Sequence, residues 1–183
     1  MMDNLLIVLS GPSGVGKGTI VNELLKSGGF ALSVSCTTRG MREGEKDGVS
    51  YFFIGRDEFE KNIAAGGFLE YSNHFGNYYG TPKAFVEKQL QTHNVILEIE
   101  VDGALQVKKV YPDAVLIMVL PPDREELAAR LRGRGTESEE KIAKRLERYD
   151  YEVSKKAEYD YVVVNDDLRT AVASIRGIIK SLK

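Results

Sequence analysis

The chain has 183 residues, 43% of them hydrophobic, which suits one globular domain with a real core and room for small inserted subdomains. A net charge of −2 gives no electrostatic case for nucleic-acid or membrane binding, and a single cysteine, Cys36, excludes an intramolecular disulfide and a cysteine-built zinc site. No apolar run reaches membrane-spanning length and no basic-then-apolar leader pattern is present, so a cytoplasmic location is expected.

The first element is a buried parallel strand at Leu5-Leu6-Ile7-Val8-Leu9, short, partly β-branched and ended by turn formers. It runs into Gly11-Pro12-Ser13-Gly14-Val15-Gly16-Lys17-Gly18-Thr19, after which Ile20, Val21, Leu24 and Leu25 recur at helical spacing. Strand, glycine loop and helix in that order form the context of a phosphate-binding P-loop: backbone N–H groups turn inward around an anion, the helix N-terminus adds partial positive charge, and Lys17 adds a full one. The usual pattern follows the lysine with Ser or Thr as a Mg²⁺ ligand. Here that place holds Gly18, with Thr19 one residue late. A dinucleotide fingerprint starting at Gly14 fails because it needs glycine at Thr19, and no Asn-Lys-x-Asp segment supports a GTPase.

Between Ser33 and Thr81 the alternation of long strands and helices lapses. Short polar-alternating pieces, Ser33 to Thr38 and Ser50 to Phe53, are separated by glycines, which predicts a small, partly antiparallel insertion. It carries Arg39 and Arg42, two forks able to reach one phosphate, together with Tyr51, Tyr78 and Tyr79 as hydroxyl donors. In isolation these arginines read as solvated surface charge; beside a P-loop they suggest a second phosphate site.

Core strands are predicted again at Val95 to Ile99, Val115 to Leu120 and Tyr161 to Val164, with helices near Lys83 to Thr92, Asp123 to Leu131, Glu137 to Tyr159 and Arg169 to Leu182. This is an α/β pattern with a parallel sheet and ligands at the strands' carboxyl ends. Glu98 and Glu100 alternate along the first of these strands, which predicts that they share a face near its carboxyl end, before Asp102 and Gly103. Arg130, Arg132 and Arg134 cluster around Gly133 and Gly135, a composition that fits a closing lid or an ordinary surface turn. The charged helix that follows places Lys141 and Arg145 on one face, with Arg148 a turn further. Cys36, His74 and His93 form no recognisable catalytic or metal motif and read as surface or packing residues.

The whole set resembles the guanylate kinase family over nearly the full chain. The carrying segments are Ser10 to Thr19, Ser33-Val34-Ser35-Cys36-Thr37-Thr38-Arg39, Gly76-Asn77-Tyr78-Tyr79-Gly80-Thr81, Gly133-Arg134-Gly135-Thr136-Glu137 and Val164-Asn165-Asp166-Asp167-Leu168. The resemblance implies an α/β P-loop NTPase fold with a parallel sheet core flanked by helices, a small mixed α/β GMP-binding insertion and a helical lid. Its parts would be a core of residues 1–34, 84–125 and 150–183, an insertion of 35–83 and a lid of 126–149. It further implies Mg²⁺-dependent phosphoryl transfer from ATP to GMP. Carried over, Arg39, Arg42, Tyr51 and Tyr79 match GMP-phosphate contacts, and Ser35, Glu70, Thr81 and Glu100 match guanine contacts. Lys17, Arg134 and Arg145 match the groups around the transferred phosphoryl, with Arg39 on the acceptor side. Arg130 is a further candidate there, and Asn165 falls in the loop near the adenine of ATP. No direct protein ligand for Mg²⁺ is implied; Thr19, Glu98 and Glu100 are candidates to meet it through water.

The chain departs from the family's pattern at Gly18, a feature shared with adenylate kinases, at Glu100 in place of the usual aspartate, and at Asp102 in place of glutamine. Two other readings stand beside this one: a non-catalytic guanylate-kinase-like interaction module, and a kinase for another nucleoside monophosphate. The sequence does not separate a monomer from a homo-oligomer.

Overall fold

A computed structural model describes residues 4–74, 76–133, 135 and 138–183. Nine strands divide between two sheets among these residues. The larger sheet is built from β1 (Leu6–Ser10), β2 (Phe30–Leu32), β7 (Asn94–Glu98), β8 (Val115–Leu120) and β9 (Tyr161–Val164), in the order β2-β7-β1-β8-β9. Every pairing in it is parallel. β1 is wholly buried and its side chains alternate between two cores. Ile7 and Leu9 join Ile20 and Leu24 of α1 (Lys17–Lys26) and Ile175 and Ile179 of α7 (Leu168–Ser181). Leu6 and Val8 join Val86 and Leu90 of α3 (Lys83–Leu90) with Val101, Ala104 and Val107 of α4 (Val101–Val110). Burial on both faces explains why these strands read as continuous apolar runs.

The second sheet holds β3 (Cys36–Thr37), β4 (Phe52–Phe53), β5 (Phe68–His74) and β6 (Asn77–Pro82), in the order β4-β3-β6-β5. Its β3–β4 pairing is parallel and the other two are antiparallel. It is covered by α2 (Arg56–Ala64), whose Phe59 stacks on Phe68 at 4.3 Å and on Tyr78 at 5.0 Å between ring centroids. The insertion therefore has its own apolar interior. β5 ties it to the rest of the molecule: Phe68 faces the insertion's interior, and the next residue, Leu69, belongs to the main core.

A helical hairpin makes the third part, from α5 (Arg124–Gly133) and α6 (Glu139–Ser154), followed by a 3-10 turn at Lys156–Glu158. Leu127, Leu131, Ile142 and Leu146 pack between the two helices, and Ser138 caps α6 by accepting from the Lys141 amide.

Several boundaries differ from the sequence expectation. The strand expected at Val95 to Ile99 ends at Glu98, and Glu100 is the N-cap of α4, so the two carboxylates do not share a strand face. α4 is an element that the sequence reading does not predict. α2 gives no sequence signal either, because it is short, highly polar and buries a single side chain, Phe59. The long helix expected from Glu137 to Tyr159 runs from Glu139 to Ser154, then tightens into the 3-10 turn.

Candidate active site

The glycine loop leaves the carboxyl end of the central strand, with β7 on one side and β8 on the other. This is the crevice where open α/β sheets bind ligands. Gly11 has φ +139°, and a Cβ there would lie 2.1 Å from the Val119 carbonyl oxygen, so only glycine lets the loop start this close to β8. The Lys17 ammonium folds back to donate to the Gly11 carbonyl and, at 3.0 Å, to the Pro12 carbonyl. Asn165, buried after β9, donates its side-chain amide to the Val15 carbonyl at 2.7 Å, and its own carbonyl accepts from Arg130 at 2.9 Å. Both residues thus brace the loop, and Arg130 is also paired with Glu126 at 2.8 Å.

The hairpin lies against this loop. A Cβ on Gly14 would come within 2.8 Å of Leu131, and Arg145 donates to the Ser13 hydroxyl. Arg134, Thr136 and Glu137, singled out from sequence, lie outside the described residues. A cavity of about 350 Å³ opens between loop and hairpin, with Lys17, Lys144, Arg145 and Arg148 in its wall. Glu98, at the end of β7, stands beside the first turn of α1: a Cβ on Gly18 would be 3.6 Å from its carboxylate. Thr19 is exposed on α1.

A second cavity, of about 440 Å³, lies between the insertion and α4, and Ser35, Tyr51, Glu70, Tyr79 and Glu100 all line it. Glu70 is buried and accepts from the Thr81 hydroxyl at 2.6 Å. Burial raises its pKa above the ordinary carboxylate value, against the opposing hydrogen bonds from Thr81. α4 makes room for this carboxylate with Gly103, where a Cβ would sit 3.0 Å from Glu70 Oε2. Thr81 is itself buried and lines an adjoining cavity of about 180 Å³ together with Ser35 and Tyr51, and its hydroxyl orients Glu70. Ser35 lines both of these cavities.

Arg39 forms a two-pronged pair with Glu45, at 2.7 and 3.1 Å, and lies over the Tyr51 ring at 5.5 Å. Glu45 also accepts from the Arg42 amide at 2.7 Å, so one carboxylate folds the whole Arg39–Glu45 turn. The hydrogen bond to Glu45 raises the guanidinium's pKa further, keeping it charged at any working pH. Arg42 is exposed. Glu100 lines both cavities and therefore marks where they meet.

Three residues in this region escaped the sequence reading: Glu45, Gly103 and Glu152. Glu152, on α6, is buried and lines the loop-side cavity. Its signal was available, since Arg145, Arg148 and Glu152 fall at i, i+3 and i+7 on one helix face.

Comparison with known proteins gives a consistent result. The guanylate kinase family model matches residues 3–182. A guanylate kinase of Symbiobacterium thermophilum is 52% identical over 181 residues, covering 98% of this chain and 86% of the relative. One of Streptococcus thermophilus is 53% identical over 180 residues, covering 97% and 86%. The crystal structure of guanylate kinase from Anaplasma phagocytophilum superposes with a TM-score of 0.73 at 32% identity, covering 97% of this chain and 85% of that one. With a P-loop on the central strand, two adjoining cavities and full-length similarity of this order, the chain belongs to the guanylate kinase family.

Proposed function

We propose that the protein transfers the γ-phosphoryl group of ATP to GMP, giving ADP and GDP. The observation that carries this reading is the junction of the two cavities at Glu100, which sets a base pocket built on the buried Glu70 directly against the P-loop pocket. Guanine offers N–H donors at N1 and N2 and an acceptor at O6. The Glu70 and Glu100 carboxylates accept from the donors while Ser35 donates to O6. Adenine would turn its N1 lone pair toward the Glu70 carboxylate, and a polar site of this kind rejects the wrong base by orders of magnitude.

The reaction needs no general base, because the attacking oxygen of the GMP phosphate is already anionic near neutral pH. Catalysis then consists of holding two anions in line and neutralising their charge. The loop amides and Lys17 hold the donor, with Lys17 moving from the loop carbonyls onto phosphate. Arg39, Arg42, Tyr51 and Tyr79 hold the acceptor phosphate. Arg145, already over the loop on α6, faces the transferred group, and Arg134 joins it in this reading. The hairpin excludes water and so limits wasteful hydrolysis.

The residues present fit a Mg²⁺ ion that keeps most of its waters: the Glu98 carboxylate stands beside the P-loop helix, where a water-mediated contact belongs. When bound, Mg²⁺ neutralises phosphate charge. Glu98 would hold it by accepting hydrogen bonds from its waters.

A coupled ADP-release assay across GMP, AMP, UMP and dTMP tests the reading. Turnover with GMP far above the others is expected. Equal rates would remove the base assignment, and no ADP release with any acceptor would favour a non-catalytic binding module. Among the described residues no helix is long and apolar enough to cross a membrane.

A further inference from the structure

Arg148 sits at the junction of the two cavities and is held by three carboxylates from two elements. Its Nη2 donates to Asp102 at 2.6 Å and lies 3.7 Å from Glu100, while its Nε donates to Glu152 at 3.3 Å. Its guanidinium covers the ring of Tyr151 at 4.7 Å, and the Tyr151 hydroxyl donates to the other oxygen of Asp102 at 2.6 Å. Against the upward push of burial, the hydrogen bonds from Tyr151 and Arg148 keep Asp102 below the ordinary aspartate range. A guanidinium surrounded in this way is already neutralised, so Arg148 is not a further cation for the phosphoryl group.

What Arg148 touches defines its role. Glu100 and Asp102 line the base cavity on α4, and Arg148 and Glu152 line the phosphate cavity on α6. The Glu152 side chain is only 5% exposed, and its Oε2 is buried without a hydrogen-bond partner among the described residues. A buried carboxylate is costly unless it is paired and hydrogen-bonded. Its positively charged neighbours are Arg148 and Lys17, and both oppose the rise in pKa that burial imposes. Arg145, one turn back on α6, touches the P-loop through Ser13. One rigid helix therefore grips the donor loop at Arg145 and the base-pocket carboxylates at Arg148.

We propose that Arg148, seated by Glu152, is a positioning residue that couples the two nucleotide sites, so that donor binding at the P-loop strengthens GMP binding at Glu100. The proposal rests on the functional reading above. Coupling between two sites is a measurable ratio of affinities and is reciprocal.

The experiment measures GMP dissociation constants by calorimetry, with and without saturating β,γ-imido ATP and Mg²⁺. The unmodified protein should bind GMP about tenfold more tightly in the presence of the analogue. Arg148→Met should bring that ratio close to one and raise the KM for GMP more than it lowers kcat. Arg148→Lys should restore part of the ratio, because a point charge cannot span three carboxylates. Glu152→Gln should also lower the ratio while its melting temperature holds or rises, which separates positioning from a loss of fold. GMP binding with the wild-type ratio retained in Arg148→Met, or a ratio of one in the unmodified protein, overturns this proposal alone. Absence of GMP binding to the unmodified protein overturns it together with the functional reading.

Discussion

On the function proposed above, the donor loop and the acceptor pocket solve the same problem, holding a nucleotide, in opposite ways. The donor loop is built from contiguous residues, Gly11 to Thr19, and works through backbone amides fixed by positive-φ glycines at the end of one buried strand. The acceptor pocket is built from side chains brought together from the segments just before β3 and β4, from β5 and β6, and from α4, and it contains a buried carboxylate, Glu70. Backbone recognition reads charge and shape and is indifferent to the base. Side-chain recognition reads the base, and it costs stability because a carboxylate must be kept out of water.

Four substitutions and titrations would break or sharpen that contrast. Lys17→Ala should cut kcat by about 10³-fold with either purine acceptor, since it removes charge stabilisation common to any substrate. Near-normal turnover would take the loop out of the chemistry. Glu70→Gln should lower kcat/KM for GMP by about 100-fold and leave AMP almost unaffected, because only the base-reading group is lost. An unchanged GMP/AMP preference would show that the pocket discriminates by other means. Thr81→Val, which leaves Glu70 without its hydroxyl donor, should raise the KM for GMP by about tenfold with little change in kcat. An equal loss with AMP would place Thr81 outside base recognition.

The smallest effect is on stability and has the opposite sign. Because burial raises the pKa of Glu70, the native state favours its protonated form, and the charged form costs stability at neutral pH. Glu70→Gln should therefore be more stable than the unmodified protein by about 1 kcal/mol at pH 7 to 8. The difference should shrink as pH falls through the raised pKa and vanish below the ordinary carboxylate value of 4.5. The KM of the unmodified protein for GMP should rise over the same window. Thermal melts from pH 4 to 8 and initial-rate profiles from pH 5 to 8 check both, and a pH-independent difference in stability would mean that Glu70 is not the buried charge.

The contrast also explains what could be read from the sequence. The P-loop was legible because its parts are adjacent and each residue type has a local reason. The long core strands were legible because burial on both faces leaves continuous apolar runs. The acceptor pocket was not visible in any window: nothing local marks Glu70 as buried, and its assignment came from resemblance. Gly103 has its reason 33 residues away in sequence, at Glu70 Oε2. Glu98 and Glu100 do not share a strand face because the alternation runs two residues past the end of β7, where the chain turns to begin α4, yet both line the same cavity. Glu152 was hidden by its surroundings, one carboxylate among many on a charged helix, and only tertiary packing sets it apart.

Phe68, Leu69 and Glu70 are consecutive on β5, yet they face the insertion's interior, the main core and the base pocket respectively. Three consecutive residues thus serve three different neighbours, so one strand joins the insertion to the main core at the residue next to the buried carboxylate. A one-residue slip of β5 would exchange all three faces at once, which makes the register of this single strand a shared condition for folding the insertion and for shaping the pocket.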